Sequence, residues 1–226
     1  MSKYSDALAN QYSKLRGSFS AIDEKVFSIL GEIGVKDKRV LDFGSGDGRY
    51  SFRIGELSAK EVIGIDISQA MIKIADHELR SREAKNIKFI EADGNNLPFE
   101  DNSFDFVFSH FVLLHFKNTL EPLQEIARVL KPSGYLVATF NTYEVTAGKE
   151  ELLNTEVPMR LGNNEDSVVV NVYVKSDKEM HQNLEIVGFR EVKYEKTEKP
   201  DSIIDPSYPH LNSVKKSAVI CLAQKV

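Results

Sequence analysis

The sequence predicts an α/β protein with a parallel sheet covered on both faces, and three observations carry that reading. Short apolar runs rich in Val, Ile and Phe alternate with longer segments of helical spacing. The runs show almost no alternation of apolar and polar positions, as expected of strands buried on both faces. Polar residues recur immediately after the runs, so several strand ends bring them to one edge of the sheet.

From Ser5 to Leu30, apolar residues including Leu8, Tyr12, Leu15, Ile22, Val26 and Leu30 recur every three or four positions. This stretch reads as helical, with Gly17 and Ser18 dividing it in two. After Gly34 come the strands RVLDF (Arg39 to Phe43), EVIGID (Glu61 to Asp66), IKFIEA (Ile87 to Ala92), FDFVFS (Phe104 to Ser109) and GYLVATF (Gly134 to Phe140). Helical spacing fills Arg49 to Ala59, Ser68 to Arg82 and Thr119 to Leu130 between them. Glu144 to Ser176 breaks the rhythm: it is polar until VVVNVYV (Val168 to Val174), which reads as an additional strand. A helix over Asp177 to Val187 follows, and REVKYEK (Arg190 to Lys196) and SAVICLAQ (Ser217 to Gln224) close the chain as strands. Pro200, Pro206 and Pro209 mark the connection between those two as a long loop.

A chain of 226 residues has room for one large domain with an insertion, and 42% apolar with 28% charged residues is globular composition. Disorder, collagen and coiled coil are excluded. No apolar run approaches the roughly 20 residues of a membrane-spanning helix. The N-terminal residues are polar and lack the apolar centre of a signal peptide. A single cysteine, Cys221, excludes an intrachain disulfide and suits a reducing, cytoplasmic setting. With 29 basic against 34 acidic residues, the net charge of −5 argues against nucleic acid as a default partner. The pair Lys215 and Lys216 is too short for a polyanion patch and reads as a solvated strand start.

VLDFGSGDGRY runs from a strand straight into a helix, with glycine at 44, 46 and 48. Glycine there lets a ligand approach the backbone, and the helix N-terminus favours an anionic group. A tight turn with no ligand is the alternative. Asp66 closes the second strand, where a carboxylate can accept from a ribose diol; Asp93 follows the third strand and His110 the fourth. Strand ends contributing polar groups to one crevice are where open α/β sheets bind ligands. The dinucleotide frame G-x-G-x-x-G/A fails, because its third position falls on Arg49, and no phosphate-loop motif is present.

These residues resemble the class I S-adenosylmethionine-dependent methyltransferases, in particular their small-molecule, type 11-like branch. The resemblance covers Val40 to Phe140. It rests on Asp42-Phe43-Gly44-Ser45-Gly46-Asp47-Gly48, Asp66, Asp93-Gly94 with Leu97-Pro98-Phe99, FDFVFSHFVLLHF and EIARVLKPSGYLVATF, in that order. It implies a Rossmann-like, seven-stranded, mostly parallel sheet, five or so strands parallel and the last antiparallel. It implies one methyltransferase domain over 1–226: a helical cap (1–34), a cofactor-binding core (35–143), an insertion over the acceptor site (144–176) and a closing helix and strands (177–226).

For the cofactor, S-adenosylmethionine, and its product, S-adenosylhomocysteine, the resemblance implies the following contacts. Gly44, Ser45 and Gly46 lie against the methionine part, and Asp42 fixes the turn and reaches the amino group directly or through water. Asp66 holds both ribose hydroxyls, Ile67 packs on the adenine and Met71 adjoins the cofactor. Asp93 accepts from the adenine amino group, Gly94 donates to a ring nitrogen, and the backbone at Ser109 and His110 faces the methionine end.

The acceptor implied is a small molecule taking the methyl on O or N, with no membrane partner and a monomer or homodimer as the working form. His110 is the candidate base if the acceptor still carries its proton; its other reading is a histidine whose backbone alone touches the cofactor. His115, within VLLHF, reads as a packed helix residue. Tyr4, Tyr12 and Arg16 read either as a cap over the cofactor or, for Tyr12, as part of the apolar stripe. His181 and His210 read as surface residues. The fourth strand lacks the N/D-P-P-Y/F signature of amino-methylation, and neither cysteines nor histidines show metal-ligand spacing. The rival functions are an RNA or protein methyltransferase and a non-methylating binder of the same cofactor.

Overall fold

The computed structural model describes residues 5–15, 20–144, 150–161, 168–198 and 215–226. Two helices open the chain, α1 (Asp6–Lys14) and α2 (Ala21–Ile33). Ser20 starts α2 through a capping box: its backbone N–H donates to Asp23 Oδ2 (2.6 Å) while its hydroxyl accepts from the Asp23 N–H. Gly34 ends the helix at φ 78°, a left-handed conformation natural to glycine.

The succession then runs β1 (Arg39–Phe43), α3 (Arg49–Glu56), β2 (Glu61–Asp66), α4 (Gln69–Ser81), β3 (Ile87–Glu91), β4 (Phe104–His110), α5 (Leu120–Val129) and β5 (Leu130–Glu144). A short 3-10 turn over Leu113–His115 lies between β4 and α5. After an insertion come α6 (Asp177–Ile186), β8 (Phe189–Glu198) and β9 (Lys215–Lys225); the insertion holds β6 (Glu156–Leu161) and β7 (Val168–Tyr173).

The main sheet has seven strands in the order β3-β2-β1-β4-β5-β9-β8. β9 alone is antiparallel, to β5 on one side and β8 on the other, so β8 rejoins the parallel direction. Six strands are therefore parallel, one more than the sequence suggests. β1 pairs with both β2 and β4, and the strand order reverses there, which opens a crevice at the strand C-termini.

Each face of the sheet carries its own core. On one, Val26, Phe27 and Leu30 of α2 and Phe52 and Ile54 of α3 pack with Val40, Val62, Phe106 and Phe108. On the other, Leu123 and Ile126 of α5 and Met180 and Leu184 of α6 pack with Leu41, Ile63, Val107 and Phe140. Fully buried side chains such as Phe108 and Phe140 each contribute about 1.5–3 kcal/mol by leaving water.

The insertion holds VVVNVYV as the additional strand expected, together with a partner strand, β6, that the sequence reading does not give. VVVNVYV does not join the main sheet: it pairs antiparallel with β6 as a separate two-stranded sheet. β6 escapes sequence reading because Pro158 and the charged Glu156 and Arg160 interrupt a short run, yet Val157 and Met159 alternate inward with Val168, Val170 and Val172. The two ends of the insertion meet where the Tyr143 N–H donates to the Lys175 carbonyl (2.8 Å). The buried ammonium of Lys175 fastens that junction, donating to the Lys117 carbonyl (2.5 Å), Asn154 Oδ1 and Glu179 Oε1 (3.0 Å). The expectations for Tyr4, Arg16–Ser18, His210 and the proline-bearing loop fall outside the described residues.

Candidate active site

The turn after β1 is anchored to β2 by backbone bonds: the Gly44 and Ser45 N–H groups both donate to the Ile65 carbonyl, at 2.9 and 2.7 Å. Gly44, Gly46 and Gly48 all have positive φ. Their surroundings differ. A Cβ on Gly44 would stand 2.4 Å from Val112 Cγ2 and one on Gly48 2.5 Å from Phe89 Cζ, whereas one on Gly46 would meet nothing within 4 Å. Gly46 therefore borders open space, and that space belongs to a cleft whose enclosed part measures about 60 Å³ and which opens to solvent.

Tyr12, Gly44, Gly46, Asp66, Ile67, Ser68, Met71, His110, Phe111, Val112 and His115 line the cleft. A smaller recess adjoins it through Gly44, Asp66, Ile67 and Val112 and reaches Phe43, Ala92, Gly94 and Phe116. Of the residues singled out from the sequence, Tyr12, Gly44, Gly46, Asp66, Ile67, Met71 and His110 thus share one cleft, and Gly94 lies in its extension. Asp93 stands exposed at the rim, accepting from the Asn95 N–H (2.9 Å).

Asp42, Ser45 and Ser109 are buried and outside that lining. Asp42 accepts from Ser51 Oγ (2.5 Å) and ties β1 to α3 beneath the turn. Burial pushes its carboxyl up to about 7; the Ser51 bond opposes this, and the nearby charges of Asp66 and Asp47 add to it.

Asp66 Oδ2 accepts from the Gly46 N–H (3.0 Å) and Oδ1 from the Ser68 N–H (2.8 Å). Burial raises its pKa, and backbone bonds from Ser68, Gly46 and Ile67 hold it back. A carboxylate has about four acceptor sites, so three backbone donors leave it capacity for a ligand. Tyr12 comes from α1, where it packs with Ala9, Ala70 and Met71, and burial pushes its hydroxyl up to about 12.

His110, the candidate base, has both ring nitrogens engaged. Nε2 lies 3.1 Å from Asp23 Oδ1 and Nδ1 lies 2.8 Å from Thr139 Oγ1. Tyr50 also donates to Asp23 Oδ1 (3.0 Å), and its ring centroid is 4.3 Å from that of His110. Burial alone would raise the Asp23 pKa, but bonds from His110 and Ser20 outweigh it and hold the carboxyl well below the usual range. A carboxylate cannot donate, so Nε2 carries a proton; Nδ1 is then either the acceptor of the Thr139 hydroxyl or a second donor. In both states the ring serves the network that fastens α2 to β4 and α3. Sequence reading had no means of finding Asp23, although Ser-x-x-Asp at 20–23 announces its helix start.

The sequence does not single out Ser68, Phe111 or Val112 as site residues and reads His115 only as a packed residue, yet all four line the cleft. Phe111 adopts φ 53°, unusual for a bulky residue, with its N–H donating to the Thr139 carbonyl (2.9 Å). Nothing in an isolated sequence signals such a conformation. His115 was expected to be a packed residue; it is packed, and it also lines the cleft, with Nδ1 3.0 Å from the Asn171 carbonyl of β7. The Leu97-Pro98-Phe99 segment proves structural: Arg128 donates to the Leu97 and Phe99 carbonyls and pairs with Glu125 and Asp101.

Above the cleft, Val157, Met159, Val168, Val170 and Val172 of the small sheet pack with Leu114, and Leu8 and Leu15 of the α1 region join them. Among the described residues no helix is long and apolar enough to cross a membrane, and no cluster of His, Cys, Asp or Glu is arranged to hold a metal.

A family described as "methyltransferase domain" matches residues 35–188, from the start of the parallel core to the start of β8. The chain belongs to that family. This methyltransferase-family chain is 35% identical over 135 residues to the demethylmenaquinone methyltransferase of Staphylococcus aureus strain MRSA252, a match covering 58% of the chain and 55% of that protein. The chain thus spans about half the length of the curated relatives it matches. Among solved structures it superposes on the cyclase SpnF with a TM-score of 0.75 at 18% identity, covering 97% of this chain and 93% of that one. An S-adenosylmethionine-dependent methyltransferase from Mesorhizobium loti gives a TM-score of 0.68 at 18% identity, covering 91% and 98%. These likenesses confirm the fold: a seven-stranded α/β sheet with its last strand antiparallel.

Proposed function

We propose that this family member transfers a methyl group from S-adenosylmethionine to a small molecule, at O or N. The observation that carries the reading is a single cleft in which the Gly46 backbone, the Asp66 carboxylate and the Gly94 recess lie in line along the ends of β1, β2 and β3. The residues present fit the cofactor, because the open space at Gly46 is a cradle that a Cβ would fill and Asp66 keeps acceptor capacity for a ribose hydroxyl.

When bound, the cofactor supplies a methyl group already activated on a sulfonium, so the chain's task is to bind, align and exclude water. Gly44 and Gly46 flank the methionine end, with the backbone at Ser109 and His110 opposite. Ile67 and Met71 pack along the ligand, Gly94 and Asp93 recognise the adenine edge, and Tyr12 closes the cleft from α1. Asp42 and Ser45 support the turn from below. The single domain over 1–226, with 1–34 and 144–176 as cap, belongs to the same reading, as do a cytoplasmic location and a monomeric or homodimeric form. The acidic total charge disfavours RNA as the acceptor.

The test is calorimetric titration of S-adenosylmethionine and S-adenosylhomocysteine into wild-type protein and Asp66→Ala, with NAD as control. Binding of the sulfur compounds that Asp66→Ala weakens supports the proposal; no binding to folded protein overturns it. An acceptor screen with methyl-labelled donor follows, beginning with demethylmenaquinone, the compound named for the curated relatives. Label that stays on the cofactor throughout would favour a non-methylating use of the same cleft.

A further inference from the structure

The strand ends opposite the cleft carry a second concavity. Lys60, Glu61, Lys85, Asn86, Ile87 and Lys88 line a groove of about 410 Å³ where β2 and β3 begin. This groove and Asp66 lie at the two ends of β2. At about 3.3 Å per residue, the run from Glu61 to Asp66 puts about 17 Å between them. The strand starts are braced side by side. The Val62 N–H donates to the Asn86 carbonyl (2.8 Å), and the Asn86 side-chain amide donates to the Ala59 carbonyl (2.9 Å). Lys60 stands at one start and Lys85 at the other.

The charges of the groove do not cancel. Among the described residues, Glu61 is the one carboxylate of the lining, and both its oxygens are engaged. Oε1 meets Lys88 Nζ (2.8 Å) and Oε2 meets Arg39 Nε (2.6 Å). The bond from Lys88, with that from Arg39, holds the Glu61 pKa below the usual value against its partial burial. Lys60 and Lys85 are exposed, and neither ammonium pairs with another of the described residues. Three ammoniums against one carboxylate leave the lining at +2, in a chain whose total is −5. Lysine on an edge strand such as β3 deters pairing with other chains. That use does not extend to Lys60, which precedes the interior strand β2, and it requires no concavity.

We propose that this groove binds a short polyphosphate chain, free or carried by a nucleotide, at a site separate from the cleft. An ammonium is a point charge on a flexible stem, suited to phosphate oxygens spread along a chain. Neighbouring strands lie about 4.8 Å apart, so lysines rooted at the starts of β2 and β3 reach adjacent phosphate groups. A small anion fits better than a nucleic-acid strand, because the groove is confined to two strand starts and the chain as a whole repels a long polyanion. The proposal stands independently of the methyl-transfer reading.

Two measurements on the full chain at low ionic strength test it. Calorimetric titration of inorganic triphosphate into wild type should show one site, weakened about tenfold in the double variant Lys60→Gln/Lys85→Gln. Lys73→Gln/Lys178→Gln, an equal loss of charge on α4 and α6, should bind within about twofold of wild type. Lys60→Arg/Lys85→Arg, which keeps both charges, should retain the site. By amide NMR, triphosphate should move the signals of Lys60, Glu61 and Lys85 to Lys88 and leave those of Gly44 and Gly46 in place. ATP titrated in the same way separates the two sources: tighter binding than triphosphate at the groove assigns a nucleotide, and equal or weaker binding there assigns the phosphate chain alone. No binding to folded wild type, equal weakening in both glutamine double variants, or shifts centred on the glycine turn would each overturn the proposal.

Discussion

The two sides of the cleft are built in different ways. On the side of β1 and β2, the turn at Gly44 and Gly46 and the Asp66 carboxylate complete one another within 22 positions of chain, mostly through backbone groups. On the side of the cap, the contacts that shape the wall join residues far apart: His115 to Asn171 across 56 positions and Lys175 to Lys117 across 58. The first side is local and regular, so it is legible as a motif. The second depends on where a separate small sheet comes to rest, and its residue types are ordinary.

The comparison implies that substitutions in the turn strike ligand binding, whereas substitutions in the cap strike the wall while leaving the turn intact. The largest expected effect is on Asp66→Ala, which on the proposed function removes acceptors for two ribose donors. At about 1.5–3 kcal/mol per charge-assisted bond, S-adenosylhomocysteine should bind about 100-fold more weakly or worse by calorimetry. A loss of less than about threefold would place the ribose elsewhere.

The glycines sharpen the same side. Gly44→Ala combines left-handed strain with a clash against Val112 and should cost about 2–5 kcal/mol of stability in denaturant unfolding. Gly46→Ala carries only the strain, about 1–2 kcal/mol, and its methyl group enters the cleft, so it should lose ligand affinity out of proportion to stability.

Asp23→Asn probes the junction between the two sides. The folded pKa of Asp23 is depressed, so its contribution is present above the ordinary carboxylate value of about 3.9 and is lost as pH falls through the folded value. Wild type should melt several degrees higher at neutral pH, at about 2–4 °C per kcal/mol, and the gap should hold down to about pH 4 and narrow below it. Asp42 and Asp66, whose raised pKa values act in the opposite sense, are common to both proteins and cancel in the difference. A gap that widens on acidification would refute the assignment.

The smallest effect is expected in the cap. Val172→Ala should cost about 1.5 kcal/mol and speed hydrogen exchange across β6 and β7, with S-adenosylhomocysteine affinity unchanged. A matching loss of affinity would mean that the two sides are coupled more tightly than their contacts suggest.

Legibility in the sequence follows the same division. The parallel strands and the crevice are evident because buried strands read as unbroken apolar runs and because glycines and carboxylates stand just past their ends. β6 is hidden because its partner β7 supplies half of the alternation that makes it a strand. His110 looks like a base from its position at a strand end; only the approach of Asp23, 87 positions earlier, shows how its ring is occupied. His115 looks like filler because its chemical character comes from a carbonyl on another sheet.

The hydrogen bond between Tyr143 and Lys175 has a consequence for how such a protein can diversify. Residues 144–174 leave and return at one point, so the excursion resembles a cassette plugged into a socket, with Lys175 as the catch. Closing a loop of twice the length costs only about 0.6 kcal/mol more. Cassettes of different length and shape could therefore be exchanged at that socket without disturbing strand pairing beneath, giving one parallel sheet many different covers.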